Sequence, residues 1–129
     1  MGEIKIMKIK DILIETRKWA EGVAEEFGYH SCLTGLCAIV SKELFVRLKA
    51  NGYRCKIGYN NGHCFIIYKN RIFDLTATQF GKPEIYIFSL SVKTPSNWKI
   101  KRAFYSAKNL SDYQIEKSWP DEQICIESY

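Results

Sequence analysis

The sequence predicts an α+β fold, with N-terminal helices packed on an antiparallel β-sheet. Two observations carry that prediction. As far as Ala50, apolar residues recur at helical spacing. From Tyr53 onward the chain changes to short apolar runs separated by turn residues, the pattern of hairpins. The 129 residues are 47% hydrophobic and 14% aromatic, enough to fill one core, and no repeat or composition shift divides them, so residues 1–129 are expected to form one domain.

In the first helix, expected over 11–27, Ile12, Trp19, Ala20, Val23, Ala24 and Phe27 share a face, with acids and bases opposite; Gly28 is a suitable stop. A second helix is expected from about Thr34 to Ala50. Val40, Leu44 and Leu48 follow Cys37 at helical spacing, Thr34 is a candidate N-cap, and Asn51-Gly52 ends the helix. Cys37 then falls near the third helical position. A thiol in a first helical turn lies at the positive end of the helix dipole, which favours thiolate. Inert packing of a small buried thiol fits the same position.

Strands are expected over 53–59, 63–68 and from Arg71 to about Thr76, joined by Asn60-Asn61-Gly62 and Lys69-Asn70. A two-residue loop between Tyr68 and Arg71 would set His63 opposite Thr76. Asp74 would then be a diagonal neighbour of His63 on the same face, within reach of a side-chain hydrogen bond. Phe65, Ile67 and Ile72 share one face of this hairpin and Cys64, Ile66, Phe73 and Leu75 the other, so both faces should be covered. Further strands are expected over 84–90 and, as an edge strand beginning at Trp98, over 98–105. Ser111 opens a short helical segment that stops at Pro120.

Charge and cysteine usage exclude several classes. The net charge of +5 is scattered in small groups (Lys5, Lys8 and Lys10; Lys99, Lys101 and Arg102) without the dense stripe of a nucleic-acid binder. No apolar run reaches the roughly 20 residues of a membrane span, so no membrane partner is expected. In the start, MGEIKIMKIKDILIE, charged residues recur too often to leave an apolar core of signal-peptide length, so no signal peptide is expected, and Ile6 stands where myristoylation requires Ser or Thr. A cytoplasmic location is expected, compatible with delivery as a secreted effector. The five cysteines at 32, 37, 55, 64 and 125 are odd in number and irregular in spacing, which argues for thiols rather than a disulfide framework. His30, Cys32, Cys37, His63 and Cys64 are conceivable zinc ligands. They show no C-x-x-C, H-x-x-x-H or zinc-deaminase spacing, so neither metal nor cofactor is expected.

What remains is a thiol, an imidazole and a carboxylate in chain order: Cys37, His63 and Asp74, the residue types of a nucleophile, its base and the group that orients the base. Cys32 is a rival nucleophile but precedes the expected helix.

These residues sit in a longer pattern: Gly35-Leu36-Cys37 opening a helix, Gly52 fifteen residues later, Gly58-Tyr59, Gly62-His63 with Phe65 two positions on, then Asp74-Leu75-Thr76. Over about residues 33–80 it resembles the transglutaminase-like branch of the papain-like cysteine enzymes. The resemblance implies a papain/transglutaminase-like core, with Cys37 as nucleophile, His63 as general base and acid, and Asp74 orienting the imidazole. Its members include peptidases, cross-linking enzymes, glutamine deamidases among bacterial effectors, peptide N-glycanases, papain-fold toxins and proteins that have lost catalysis. The function it implies is a cysteine-dependent amide hydrolase working through a thioester, a peptidase or protein glutamine deamidase, with a protein or peptide as substrate. A catalytically inactive protein-binding module and a transglutaminase-type acyltransferase are the alternatives. Trp19, Gly35, Leu36, Gly62, Phe65, Thr76 and Gln79 are the candidate substrate-binding residues, and Phe80 joins Thr76 and Gln79 as a candidate pocket floor. The chain departs from the family in two places: no glutamine precedes Cys37 to complete an oxyanion hole, and Phe65 stands where a tryptophan is usual.

Overall fold

The structure is a computed structural model that describes residues 6–28, 36–60 and 63–104. Two helices, α1 (Ile9–Phe27) and α2 (Cys37–Ala50), precede strands β1 (Lys56–Asn60), β2 (His63–Tyr68), β3 (Arg71–Asp74), β4 (Tyr86–Ser89) and β5 (Arg102–Phe104). The strands form one five-stranded antiparallel sheet in the order β4-β3-β2-β1-β5. Helix α1 packs on α2, and α2 packs on β2. The fold is therefore α+β, helices on an antiparallel sheet. Among the described residues, no helix is long and apolar enough to cross a membrane. The expected helical segment from Ser111 to Trp119 lies outside the described residues.

Helix α1 ends at Gly28, whose φ of 75° is the left-handed conformation of a glycine C-cap. Its inner face is Ile12, Leu13, Thr16, Arg17, Ala20 and Ala24. This corrects the expected stripe: Phe27 is 68% exposed, and Leu13, Thr16 and Arg17 lie inside. An arginine is tolerated there because three of its five donors are matched among the described residues. Its Nη1 donates to the Leu75 carbonyl at 2.7 Å and to Thr78 Oγ1 at 3.1 Å, and its Nε donates to Glu21 at 2.8 Å.

Helix α2 starts at Cys37, not near Thr34. Leu36 is its N-cap, whose carbonyl accepts the Val40 N–H at 2.9 Å. Thr34 lies outside the described residues. Val40, Leu44 and Leu48 form the buried stripe as expected, with Ser41 and Phe45 alongside. Asn51 caps the far end, donating from its side chain to the Arg47 carbonyl at 2.8 Å, and Gly52 turns the chain at φ 85°.

The hairpin of β2 and β3 has the expected register: Tyr68 faces Arg71, Ile67 faces Ile72 and Ile66 faces Phe73. Lys69 (φ 46°) and Asn70 (φ 63°) are both left-handed, the type I′ geometry that matches strand twist. Strand β3 stops at Asp74, two residues short of Thr76, because the Thr76 N–H turns back to the Asp74 carboxylate instead of continuing the ladder. The expected strand over 98–105 shrinks to Arg102–Phe104, which does form an edge, on β1. Trp98 lies instead in a 3-10 turn, Ser96–Trp98, held by the Asn60 side-chain amide donating to the Ser96 carbonyl.

Alternation along the strands makes two cores. Ile57, Tyr59, Cys64, Ile66, Phe73 and Leu75 face the helices. Phe65, Ile72, Ala77 and Trp98 form the other cluster, flanked by Phe80, Tyr86 and Phe88. Gly58 is obligatory on the second face: a side chain there would meet the Phe65 ring well inside van der Waals contact and Ile67 at 3.0 Å. Cys55 is buried just before β1 rather than within a strand, and Cys37, Cys55 and Cys64 are thiols.

Candidate functional site

The first residue of β2 and the last of β3 are brought together as the hairpin register requires. His63 Nε2 lies 2.6 Å from Asp74 Oδ2, and the two residues are 0% and 2% exposed. Asp74 accepts three further hydrogen bonds. The Trp98 indole N–H donates to Oδ2 at 2.7 Å, and the Thr76 N–H and hydroxyl donate to Oδ1 at 2.8 and 3.1 Å. Burial alone would push this carboxyl's pKa up. The charge of His63 and the hydrogen bonds from His63, Trp98 and the Thr76 backbone together outweigh burial and hold it below the usual carboxylate range. The ionised carboxylate can only accept, so His63 Nε2 carries the hydrogen of the shared bond. Nδ1, on the far side of the ring from Asp74, is then the nitrogen that would exchange a proton with a substrate or a thiol.

Aromatic rings box the imidazole. Phe80 stands perpendicular to it at 5.0 Å between centroids, Trp98 perpendicular at 6.0 Å, and Phe65 tilted at 5.6 Å. Trp98 also meets Phe80 at 5.6 Å, Tyr86 at 5.2 Å and Phe88 at 5.5 Å. These rings pack around the imidazole, and the burial of both members keeps water from the hydrogen bond. The 3-10 turn Ala77–Phe80 carries Phe80, and Gln79 Nε2 donates to Thr76 Oγ1 at 3.3 Å. Thr76, Gln79, Phe80 and Phe65 thus gather at the His63–Asp74 pair.

Cys37 is the first residue of α2, two positions nearer the helix start than expected, so the positive end of the dipole lies at the residue itself. It is 0% exposed and packs, with Leu36, in the helix-side cluster, whereas the rings around His63 belong to the opposite face of the sheet. The packing of α2 on β2 is what relates the two. Trp19 stands apart. It is half-buried against the helix-side core with the Arg47 guanidinium 5.9 Å above its ring. Arg47 is ten residues along α2 from Cys37, about 15 Å at the rise of an α-helix. Gly35, Gly62, His30, Cys32 and Cys125 lie outside the described residues. Among the described residues, no group of three or more His, Cys, Asp or Glu is gathered as a metal site.

Sequence reasoning missed Trp98 and Asn60. A signal for Trp98 was present: a buried aspartate with a single histidine partner has lone pairs to spare, and a buried indole needs an acceptor. Comparison with protein-family models, curated proteins and solved structures gives no match.

Proposed function

We propose that the chain is a cysteine-dependent amide hydrolase with a papain/transglutaminase-like core, acting on a protein or peptide. The observation that carries the reading is the buried His63–Asp74 pair, which a cysteine nucleophile at a helix start requires as its base and orienter. The order of the parts supports it: Cys37 opens α2, α2 packs on β2, and β2 opens with His63.

In this reading Cys37 reacts as a thiolate, favoured by the helix dipole and by proton transfer to His63 Nδ1. The thiolate attacks an amide carbonyl, and N–H donors of the first turn of α2 hold the developing oxyanion. The imidazolium, oriented through Nε2 by Asp74, protonates the departing nitrogen and leaves a thioester on Cys37. Water, deprotonated by His63, then releases the acid. Peptide cleavage and glutamine deamidation share these steps and differ in whether an amine or ammonia departs.

A chloroacetamide-bearing peptide offered at neutral pH tests the reading. Selective alkylation of Cys37, abolished in His63→Ala, is the expected outcome; Cys37 reacting no faster than Cys55 and Cys125 overturns it. The complete burial of Cys37 and His63 favours a second reading, a binding module without chemistry. That module would leave the probe unreacted while the His63–Asp74 pair persists.

A further inference from the structure

Arg17 is the one buried arginine among the described residues, 4% exposed, and its contacts lead to the candidate site rather than to its own neighbourhood alone. Leu75 and Thr78, which accept from Nη1, flank Thr76, and Thr76 grips Asp74 through its N–H and hydroxyl. The same turn carries Phe80, perpendicular to the His63 ring. Strand alternation explains the arrangement. Leu75 faces the helices, so its backbone is within reach of α1, while Asp74 faces the aromatic side.

We propose that Arg17 is a positioning residue: through its grip on Leu75 and Thr78, α1 holds the turn that fixes Asp74 against His63. A planar guanidinium suits the task, since one Nη1 bridges two acceptors while Nε is anchored on Glu21 in the next helical turn. The role concerns the His63–Asp74 pair itself and stands whether or not Cys37 is its nucleophile.

The test reads the pair directly. The chain has two histidines, so in a His30→Gln background His63 is the only one, and the exchange of its Nε2–H proton with water is followed by NMR on histidine-labelled protein. Arg17→Ala should speed that exchange at least about tenfold, and Arg17→Lys, which retains one donor for the Leu75 carbonyl, should fall between it and the parent. Leu13→Ala, a loss of buried α1 surface that leaves the Arg17 guanidinium and its acceptors in place, is the control for stability alone. Equal acceleration in Leu13→Ala and Arg17→Ala at equal loss of denaturant stability overturns the proposal, as does unchanged exchange in Arg17→Ala. Should Arg17→Ala not fold, Thr78→Val removes a single acceptor of Arg17: faster exchange of the His63 proton supports the role, and unchanged exchange refutes it.

Discussion

Replacing Trp98 by phenylalanine keeps an aromatic ring among Phe80, Tyr86 and Phe88 but deletes the indole N–H that donates to Asp74 at 2.7 Å. A hydrogen bond to a buried carboxylate contributes about 2 kcal/mol. The missing part of the indole leaves roughly 40 Å³, which at about 24 cal/mol per Å³ costs a further ~1 kcal/mol. The sum, about 3 kcal/mol, should lower Tm by about 10 °C for a domain of this size. The loss should also depend on pH in a defined direction. Asp74 is held below its ordinary range when folded, so its ionisation stabilises the fold fully above the unfolded pKa and that stabilisation is lost as pH falls through the folded one. Without the Trp98 donor the folded pKa rises, so the variant has less to lose in acid. The gap between parent and variant should be full at pH 7 and narrow in acid, as pH falls through the variant's folded pKa and towards that of the parent. Urea unfolding followed by circular dichroism across that range measures it. A gap below about 0.5 kcal/mol at pH 7, or one that widens as pH falls, would refute the assignment of the Trp98 N–H to the carboxylate.

Three other outcomes follow from the same packing. Gly58→Ala forces a methyl against Phe65 and Ile67 and should cost about 1–3 kcal/mol in urea, with the His63 ring resonances moving because Phe65 lies 5.6 Å from that ring. Lys69→Asn places a residue that tolerates left-handed backbone at φ 46° in the type I′ turn and should stabilise by about 0.5–1 kcal/mol, read as a higher urea midpoint. Cys55 should stay unmodified by iodoacetamide at pH 8 until the protein unfolds: burial, only partly offset by the nearby Lys49 charge, pushes its pKa up to about 11. Peptide mapping by mass spectrometry with and without denaturant checks this.

How much of this was legible in the sequence depended on the range of the interactions. The β2–β3 hairpin was readable because strand alternation and a two-residue loop are local rules, and together they set His63 and Asp74 on one face without reference to the rest of the chain. The α2 stripe of Val40, Leu44 and Leu48 was readable for the same reason. Long-range exceptions were not. Arg17 reads as part of a polar helix face until Leu75 and Thr78, 58 and 61 residues on, supply its acceptors. Trp98 alternates convincingly with Lys99 as a strand, yet Asn60 holds its segment in a 3-10 turn and Asp74 takes its N–H. Thr34 looked like the N-cap of α2 on residue type alone, whereas the helix begins at Cys37 with Leu36 as its N-cap, and among the described residues no side chain caps it.

The proposed chemistry turns on whether Cys37 and His63 act as one unit, and the rate of Cys37 alkylation by iodoacetamide as a function of pH measures that coupling. A thiolate maintained by His63 should react at pH 6 within about threefold of its rate at pH 8, and His63→Ala, compared at a temperature where circular dichroism shows it folded, should cut the pH 6 rate at least about tenfold. A Cys37 rate that is negligible at pH 6, rises only in the ordinary thiol range and is the same in His63→Ala would contradict the account.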